Sequence, residues 1–228
     1  MNKSDEGSTV SYWEATKDLL KGAVSPPASA DVCIIGAGIS GLTTAYLIAK
    51  KGHSVAVLDD GLIGGGETSR TTAHLSNAID DRIYRIEEWH GAEKAALAVE
   101  AHTKAIDLIE SIAREENIEC DFSRVDGYLF EAPDGEDNLA KEIEAARRCG
   151  LSVEWADRAP ISGADKCLRF PRQGQFHVLK YLNGLAAAVE RLGGTLVSNA
   201  HVEDWTGGES PTVTIEGEIG RASCRERV

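Results

Sequence analysis

Three glycines and one aspartate near the start of the chain have the types and the spacing to hold a nucleotide. Gly36, Gly38 and Gly41 form the pattern G-x-G-x-x-G, and Asp59 follows 18 residues after Gly41. The pattern predicts a tight turn at Gly36, room for a pyrophosphate beside Gly38 and close helix–strand packing at Gly41. A carboxylate at Asp59 accepts hydrogen bonds from both ribose hydroxyls and repels a 2′-phosphate, which favours FAD or NAD over NADP.

The neighbouring positions complete this first glycine loop. Ile39 and Ser40 open the predicted helix, whose first N–H groups and positive dipole end attract phosphate. Asp60 lies beside Asp59, and we assign the ribose contact to Asp59 because it directly ends the apolar run VAVL. An ordinary glycine turn in an α/β protein is the alternative interpretation.

A second glycine-rich loop, GLIGGGETSRTTAHLS at 61–76, has four glycines and five hydroxyl side chains in sixteen residues. An NAD site needs one glycine loop, whereas extended FAD also needs partners for its second phosphate and ribityl chain. Glycines let the main chain come close, and small hydroxyls donate hydrogen bonds to phosphate and ribityl oxygens. The second loop therefore favours FAD, and a polar surface loop is the alternative. The residues expected to contact FAD here are Gly66, Thr68, Ser69, Arg70, Thr71 and Thr72.

The hydrophobic pattern predicts the elements that position these loops. DVCII and HSVAVLDD predict two strands buried on both faces, and LTTAYLIAKKG between them predicts a helix that ends at Gly52. The segment from Asp31 to Asp60 is therefore a β–α–β unit. Further along, LSVEW at 151–155 predicts a short strand, and CLRFPRQGQFHV at 167–178 predicts two short strands around a turn.

The order of these elements predicts an α/β fold: an incomplete Rossmann-type FAD-binding domain with an inserted α+β substrate domain. The predicted segments are an N-terminal arm at 1–30, the first part of the FAD-binding domain at 31–79, the first part of the substrate or cap domain at 80–175, the second part of the FAD-binding domain at 176–218, and a non-native tail at 219–228.

The tail is predicted from its composition. IGRASCRERV has three Arg and one Glu, although the chain as a whole is acidic. The segment also matches one reading frame of a common sequencing-library adapter, so we exclude it from the fold. A frayed basic C-terminus is the alternative. With such a tail, the natural chain is expected to be longer, and these residues are its N-terminal fragment.

Composition and charge exclude several classes of protein. The net charge of −13 argues against a surface for nucleic acid or anionic membrane. No apolar run approaches the roughly 18 residues of a membrane span, and the N-terminus lacks the apolar core of a secretory signal. The five cysteines are scattered without a CxxC pair, which favours a reducing cytoplasm and neither a disulfide framework nor a metal site.

Taken together, DVCIIGAGISGLTTAYLIAKKGHSVAVLDD and GGGETSRTTAHLS resemble the FAD-dependent oxidoreductases of the D-amino-acid oxidase superfamily. SYW at 11–13 and the segment 170–202 are similar to the γ-glutamylputrescine oxidase-like subgroup, and TTAHLS resembles members with a C-terminal Rieske 2Fe–2S domain. The resemblance implies that Ala73 lies in the loop beside the pyrophosphate and flavin, and that the backbone of Val202 meets the adenine. Relatives often have Asn-Gly where Thr71-Thr72 stands here, so different loop chemistry near the flavin is expected.

The resemblance also implies a reaction. It is the oxidation of a C–N bond in an amine or amino acid by hydride transfer to flavin N5. No catalytic residue can be named: His177 and Tyr181 either line the site or pack at a strand–helix junction, and we favour packing. A Rieske cluster is expected only in a missing C-terminal part. An NAD-dependent Rossmann dehydrogenase and an inactive truncated fragment are the alternative functions.

Overall fold

The computed structural model describes residues 10–23, 25–131, 138–160, 165–208, 211–215 and 218–220. In chain order its elements are α1 (Tyr12–Thr16), β1 (Val32–Ile35), α2 (Ile39–Ala49), β2 (Val55–Leu58), a 3₁₀ helix (Glu67–Arg70), β3 (His74–Leu75), α3 (Ile83–His90), α4 (Ala92–Glu115), β4 (Ser123–Leu129), α5 (Leu139–Arg148), β5 (Glu154–Arg158), β6 (Asp165–Gln175), α6 (Val178–Arg191), β7 (Thr195–Val197), β8 (Val202–Thr206), β9 (Thr212–Ile215) and β10 (Glu218–Gly220).

The chain divides into two compact units. The first consists of Met1–Thr72, Glu116–Cys120 and His177–Val228, and the second of Ala73–Glu115 and Asp121–Phe176. The second unit thus begins at residue 73, whereas the sequence placed the first boundary after residue 79. A short segment after α4 also returns to the first unit. Residues 219 and 220 belong to β10, and the rest of the expected tail, 221–228, lies outside the described residues.

A parallel sheet in the order β1-β2-β7 forms the centre of the first unit. The predicted β–α–β unit is confirmed, because β1 and β2 pair in parallel with Val32 opposite Val55 and α2 connects them. All four residues of β2 are buried, as its continuous apolar run VAVL predicts. Gly52, with φ +88°, follows the end of α2 as expected. A separate antiparallel sheet joins β8, β9 and β10.

The second unit is organised around the long strand β6, which pairs antiparallel with β3, β4 and β5. The prediction of two short strands at 167–178 is wrong. Pro171 and Arg172, at φ +59°, lie inside the continuous strand β6, where two of its residues face one residue of β4. This bulge accommodates a proline and a turn-like backbone without ending the strand. Strand β5 also begins at Glu154, three residues after the predicted start.

Buried polar side chains fix the helices of the second unit. The Glu142 carboxylate, on α5, accepts hydrogen bonds from the N–H groups of Ile83 and Tyr84 at 3.1 and 3.2 Å. It therefore caps the first turn of α3, which has no side-chain cap of its own. The Gln173 side chain accepts the N–H of Asn77 at 2.8 Å and donates to the Asn77 side-chain oxygen at 2.9 Å.

In the first unit, Glu116 connects α2 and α6. One carboxylate oxygen accepts the Tyr46 hydroxyl at 2.7 Å, and the other pairs with the Arg191 guanidinium. The Tyr46 hydrogen bond, and next to it the Arg191 interaction, hold the pKa of the Glu116 carboxyl below its ordinary value of 4.5, against the opposing effect of burial. Glu116 therefore stabilises the folded chain in its ionised form.

We expect Glu116→Gln to lower the free energy of unfolding at pH 7 by about 1–3 kcal/mol, the range for hydrogen bonds to charged groups. Since the folded-state pKa lies below the unfolded-state value, this stabilisation is present above the unfolded-state pKa. It is lost as the pH falls through the lowered pKa of the folded state. Urea denaturation at pH 7 and at about pH 3 measures both effects, and the difference between wild type and variant should shrink at the lower pH.

The matched control is Glu100→Gln, which removes an exposed ion pair with Lys104 on α4. Such a pair contributes less than about 0.5 kcal/mol. Equal stability of wild type and Glu116→Gln at pH 7 would contradict the assignment.

Candidate functional site

The first glycine loop has the backbone that its sequence requires at two of three glycines. Gly36 has φ +101°, a conformation that favours glycine. A Cβ on Gly41 would lie 1.9 Å from the Gly36 carbonyl oxygen, so α2 could not approach β1 with any other residue there. A Cβ on Gly38 would meet the Thr68 hydroxyl at 3.0 Å, and the role of Gly38 in making room for a phosphate stays a prediction.

The N-terminus of α2 is arranged to attract an anion. Gly38 is the N-cap residue and supplies no side-chain cap, and the first turn contains no acidic residue. The Ile39 N–H donates to the Thr68 hydroxyl at 3.2 Å, while Ser40 is exposed beside it. The positive end of the helix dipole is therefore left without a carboxylate of its own helix to offset it.

Asp59 joins the end of β2 to both glycine loops. Its Oδ2 accepts the Ala37 N–H at 2.6 Å, and its Oδ1 accepts the Gly61 N–H at 2.9 Å. Each carboxylate oxygen keeps a further lone pair, so the side chain can still accept a hydroxyl. Asp60, in contrast, is exposed and pairs with His201 at 3.0 Å.

The second glycine loop meets the first at the start of α2. The Gly64 N–H donates to the Ala37 carbonyl at 3.0 Å, and Gly64 has φ +79°. Thr68 bridges to Ile39, as described above. Gly66 is exposed, and a Cβ built on it would have no neighbour within 4 Å. The structure thus brings Gly66 into open space and Thr68 beside the first loop.

One of the expected hydroxyl donors has a different role. Ser69 is fully buried, and its hydroxyl donates to the Glu14 carboxylate at 2.5 Å and contacts the Gly66 carbonyl at 3.1 Å. The expectation that Ser69 donates to a phosphate or ribityl oxygen is therefore not met by this structure. The sequence could not indicate this, because the acceptor lies 55 positions away.

The remaining predicted site residues are spread more widely. Arg70, Thr71 and Thr72 are exposed, and the Thr71 carbonyl accepts the Trp13 indole N–H at 2.7 Å. Ala73 is buried, has φ +56° and is the first residue of the second unit. Val202 packs against the apolar cluster that includes Leu58, at the end of β2.

His177 and Tyr181 are both buried, at 4% and 0% exposure. His177 is the N-cap of α6, where its Nδ1 accepts the Lys180 N–H at 3.3 Å. Burial raises the pKa of the Tyr181 hydroxyl, which keeps it neutral at physiological pH. These features are those of packing and capping residues, the interpretation that the sequence favoured.

Two further properties are limited to the part of the chain that the structure describes. Its helices include none with the length and apolar character needed to cross a membrane. Its His, Cys, Asp and Glu side chains form no group of three or more that could hold a metal ion.

Comparison with known proteins identifies the family. The model of the FAD dependent oxidoreductase family (DAO) matches residues 31–226, and the chain belongs to this family. The match confirms the resemblance found in the sequence, and it supports the FAD interpretation over an NAD-dependent dehydrogenase.

Individual relatives agree with the family assignment. The chain is 34% identical over 209 residues to the "Putative Rieske 2Fe-2S iron-sulfur protein YhfW" of Bacillus subtilis, covering 90% of this chain and 41% of YhfW. It is 29% identical over 126 residues to the gamma-glutamylputrescine oxidoreductase of Escherichia coli, covering 54% of this chain and 29% of that protein. The chain thus spans less than half the length of these curated relatives.

A solved structure shows the same fold. The crystal structure of glycine oxidase from Geobacillus kaustophilus superimposes with a TM-score of 0.69 at 20% identity, covering 86% of this chain and 54% of that one. At this level of identity the similarity establishes the fold alone, and it confirms the predicted α/β class.

We expect Gly41→Ala to lower the free energy of unfolding by at least about 2 kcal/mol, because the new methyl group overlaps backbone that cannot rotate away. The control is Gly207→Ala, since a Cβ there has its nearest neighbour, a Trp205 ring atom, at 4.0 Å. Urea denaturation without added nucleotide measures both variants. A Gly41→Ala variant as stable as Gly207→Ala would show that α2 does not need this close approach.

Proposed function

We propose that this chain binds FAD across its two glycine loops and forms part of an enzyme that oxidises a C–N bond of an amine or amino acid. The observation that carries the proposal is the meeting of both loops at the N-terminus of α2, through Thr68 to Ile39 and Asp59 to Ala37. In addition to family membership, this geometry supports a ligand longer than one phosphate and one ribose.

The residues present fit the chemistry of FAD. An uncapped helix N-terminus at Gly38, Ile39 and Ser40 suits the pyrophosphate, and the Asp59 carboxylate suits the ribose hydroxyls. Gly66 offers open space for close approach of the main chain. The proposed FAD contacts are Gly36, Gly38, Ile39, Ser40, Gly41, Asp59, Asp60, Gly66, Thr68, Arg70, Thr71, Thr72, Ala73 and Val202.

When bound, FAD supplies the two-electron acceptor for the oxidation. The chain's own part is to hold that cofactor. Asp59 is fixed by two main-chain N–H groups before any ribose arrives, so little reorganisation is needed on binding. Thr68 is held in the same way beside Ile39. We propose the second unit as the part that contributes to substrate binding.

The names of the relatives support the substrate class. They include a gamma-glutamylputrescine oxidoreductase and, among solved structures, a glycine oxidase and an L-proline dehydrogenase, which act on amines and amino acids. The name of YhfW adds a Rieske cluster. We extend a 2Fe–2S cluster to this protein only for residues beyond those described, and we propose a cytoplasmic location on the basis of the scattered cysteines.

The neighbouring acids Asp59 and Asp60 provide a matched test of the cofactor. We expect Asp59→Asn to weaken FAD binding by at least about tenfold, since hydrogen bonds to a charged group contribute about 1.5–3 kcal/mol. Asp60→Asn, which alters an exposed carboxylate, should stay within about twofold of wild type. Titration of the purified chain with FAD, followed by flavin fluorescence, measures both affinities, with NAD as the competing nucleotide.

Gly66→Ala keeps the test decisive if Asp59→Asn does not fold, because its added methyl group enters open space. This variant should retain wild-type stability without FAD and bind FAD more weakly. Tight NAD binding without FAD uptake by the wild-type chain would overturn the proposed cofactor. Equal losses in Asp59→Asn and Asp60→Asn would overturn the assigned ribose contact.

A further inference from the structure

The segment before β1 makes a series of contacts with the second glycine loop. We call residues 11–23 the arm and residues 63–72 the flavin loop. The Trp13 indole N–H donates to the Thr71 carbonyl at 2.7 Å, and Glu14 accepts the Ser69 hydroxyl at 2.5 Å. The Leu20 carbonyl accepts the Ile63 N–H at 3.0 Å. The arm therefore holds the flavin loop at both ends and in its 3₁₀ turn.

The arm is itself fixed to the rest of the first unit. The Thr16 hydroxyl lies 3.0 Å from His177 Nε2, and the Trp13 ring packs edge-on against His177 with centroids 5.0 Å apart. The Asn183 side chain donates to the Asp18 carbonyl at 3.2 Å, and the Ala23 N–H donates to the Leu196 carbonyl at 2.7 Å. The arm thus connects the flavin loop to α6 and β7.

These contacts act on the part of the flavin loop that needs external support. The stretch from Gly64 to Gly66 is glycine and has wide conformational freedom, and the 3₁₀ turn that follows is only four residues long. Thr68, which reaches the start of α2, lies directly before Ser69, the residue that Glu14 holds. Fixing Ser69 and Thr71 therefore restricts the position of Thr68.

We propose that the arm is a positioning element of the cofactor site. Trp13 and Glu14 hold the flavin loop in the conformation that places Thr68 and Gly66 at the N-terminus of α2. This inference rests on the proposed FAD binding and adds residues outside both glycine motifs to that site. Ordering the loop before the ligand arrives reduces the entropy lost on binding, so the arm raises affinity without touching the ligand.

Two pairs of variants separate positioning from general stability. Trp13→Ala removes both the hydrogen bond and the ring, whereas Trp13→Phe keeps the ring against His177. Glu14→Ala removes the acceptor for Ser69, whereas Glu14→Gln retains a side-chain oxygen that can accept the same hydrogen bond. The control is Trp205→Phe, at a tryptophan on β8 that is 66% exposed.

The experiment measures two quantities on the whole chain: amide hydrogen exchange in the flavin loop without FAD, and the dissociation constant of FAD. We expect Trp13→Ala and Glu14→Ala to speed exchange in the flavin loop, to leave β2 unchanged and to weaken FAD binding by about tenfold. Trp13→Phe should show a smaller loss of about threefold. Glu14→Gln and Trp205→Phe should match wild type.

Wild-type exchange and wild-type FAD affinity in both alanine variants would overturn the inference while leaving the proposed function intact. Equal acceleration of exchange in the flavin loop and in β2 would also overturn it, since the arm would then stabilise the whole unit. A wild-type chain that takes up no FAD would overturn the proposed function itself and, with it, the role of the arm in cofactor binding.

Discussion

The geometry of the first unit depends on the hydrogen bond that the Asp59 carboxylate accepts from the Ala37 N–H at 2.6 Å. It joins the end of β2 to the turn after β1, and the second oxygen of the same carboxylate holds Gly61, where the second loop starts. Main-chain bonds from Asp59 to Val197 and from Ala200 to Asp59 add the end of β7. One side chain therefore sets the relative positions of three strand ends and two loops.

The features that the sequence predicted correctly are those with a local steric or hydrophobic cause. The β–α–β unit follows from two apolar runs around one helical segment, and the need for glycine at Gly36 and Gly41 follows from a left-handed turn and a close backbone approach. The α/β class follows from the same pattern. In each case a few consecutive residues contain all the information that the prediction uses.

The features that the sequence did not predict depend on partners far along the chain. Pro171 indicates a turn, but β6 continues because β4 pairs with it on both sides of the bulge. Ser69 has the chemistry of a phosphate donor, but Glu14 lies close enough to accept its proton. The contact of Trp13 with Thr71 spans 58 positions. Periodicity and residue type contain no information about such distances, so only the folded chain assigns these groups their roles.

An acidic chain that binds a dinucleotide must offset its own charge near the phosphates. The net charge of −13 acts mainly at long range, and salt screens it beyond about 8–10 Å. Within that distance the first turn of α2 has no acidic residue, and the Asp59 charge is partly balanced by two main-chain donors. Fixed N–H dipoles thus supply the local attraction, which explains why small residues surround the site: glycine lets the backbone come close, and a bulky cation would separate it from the phosphate. The flavin loop has little side-chain bulk to order itself, and the arm supplies that order from outside.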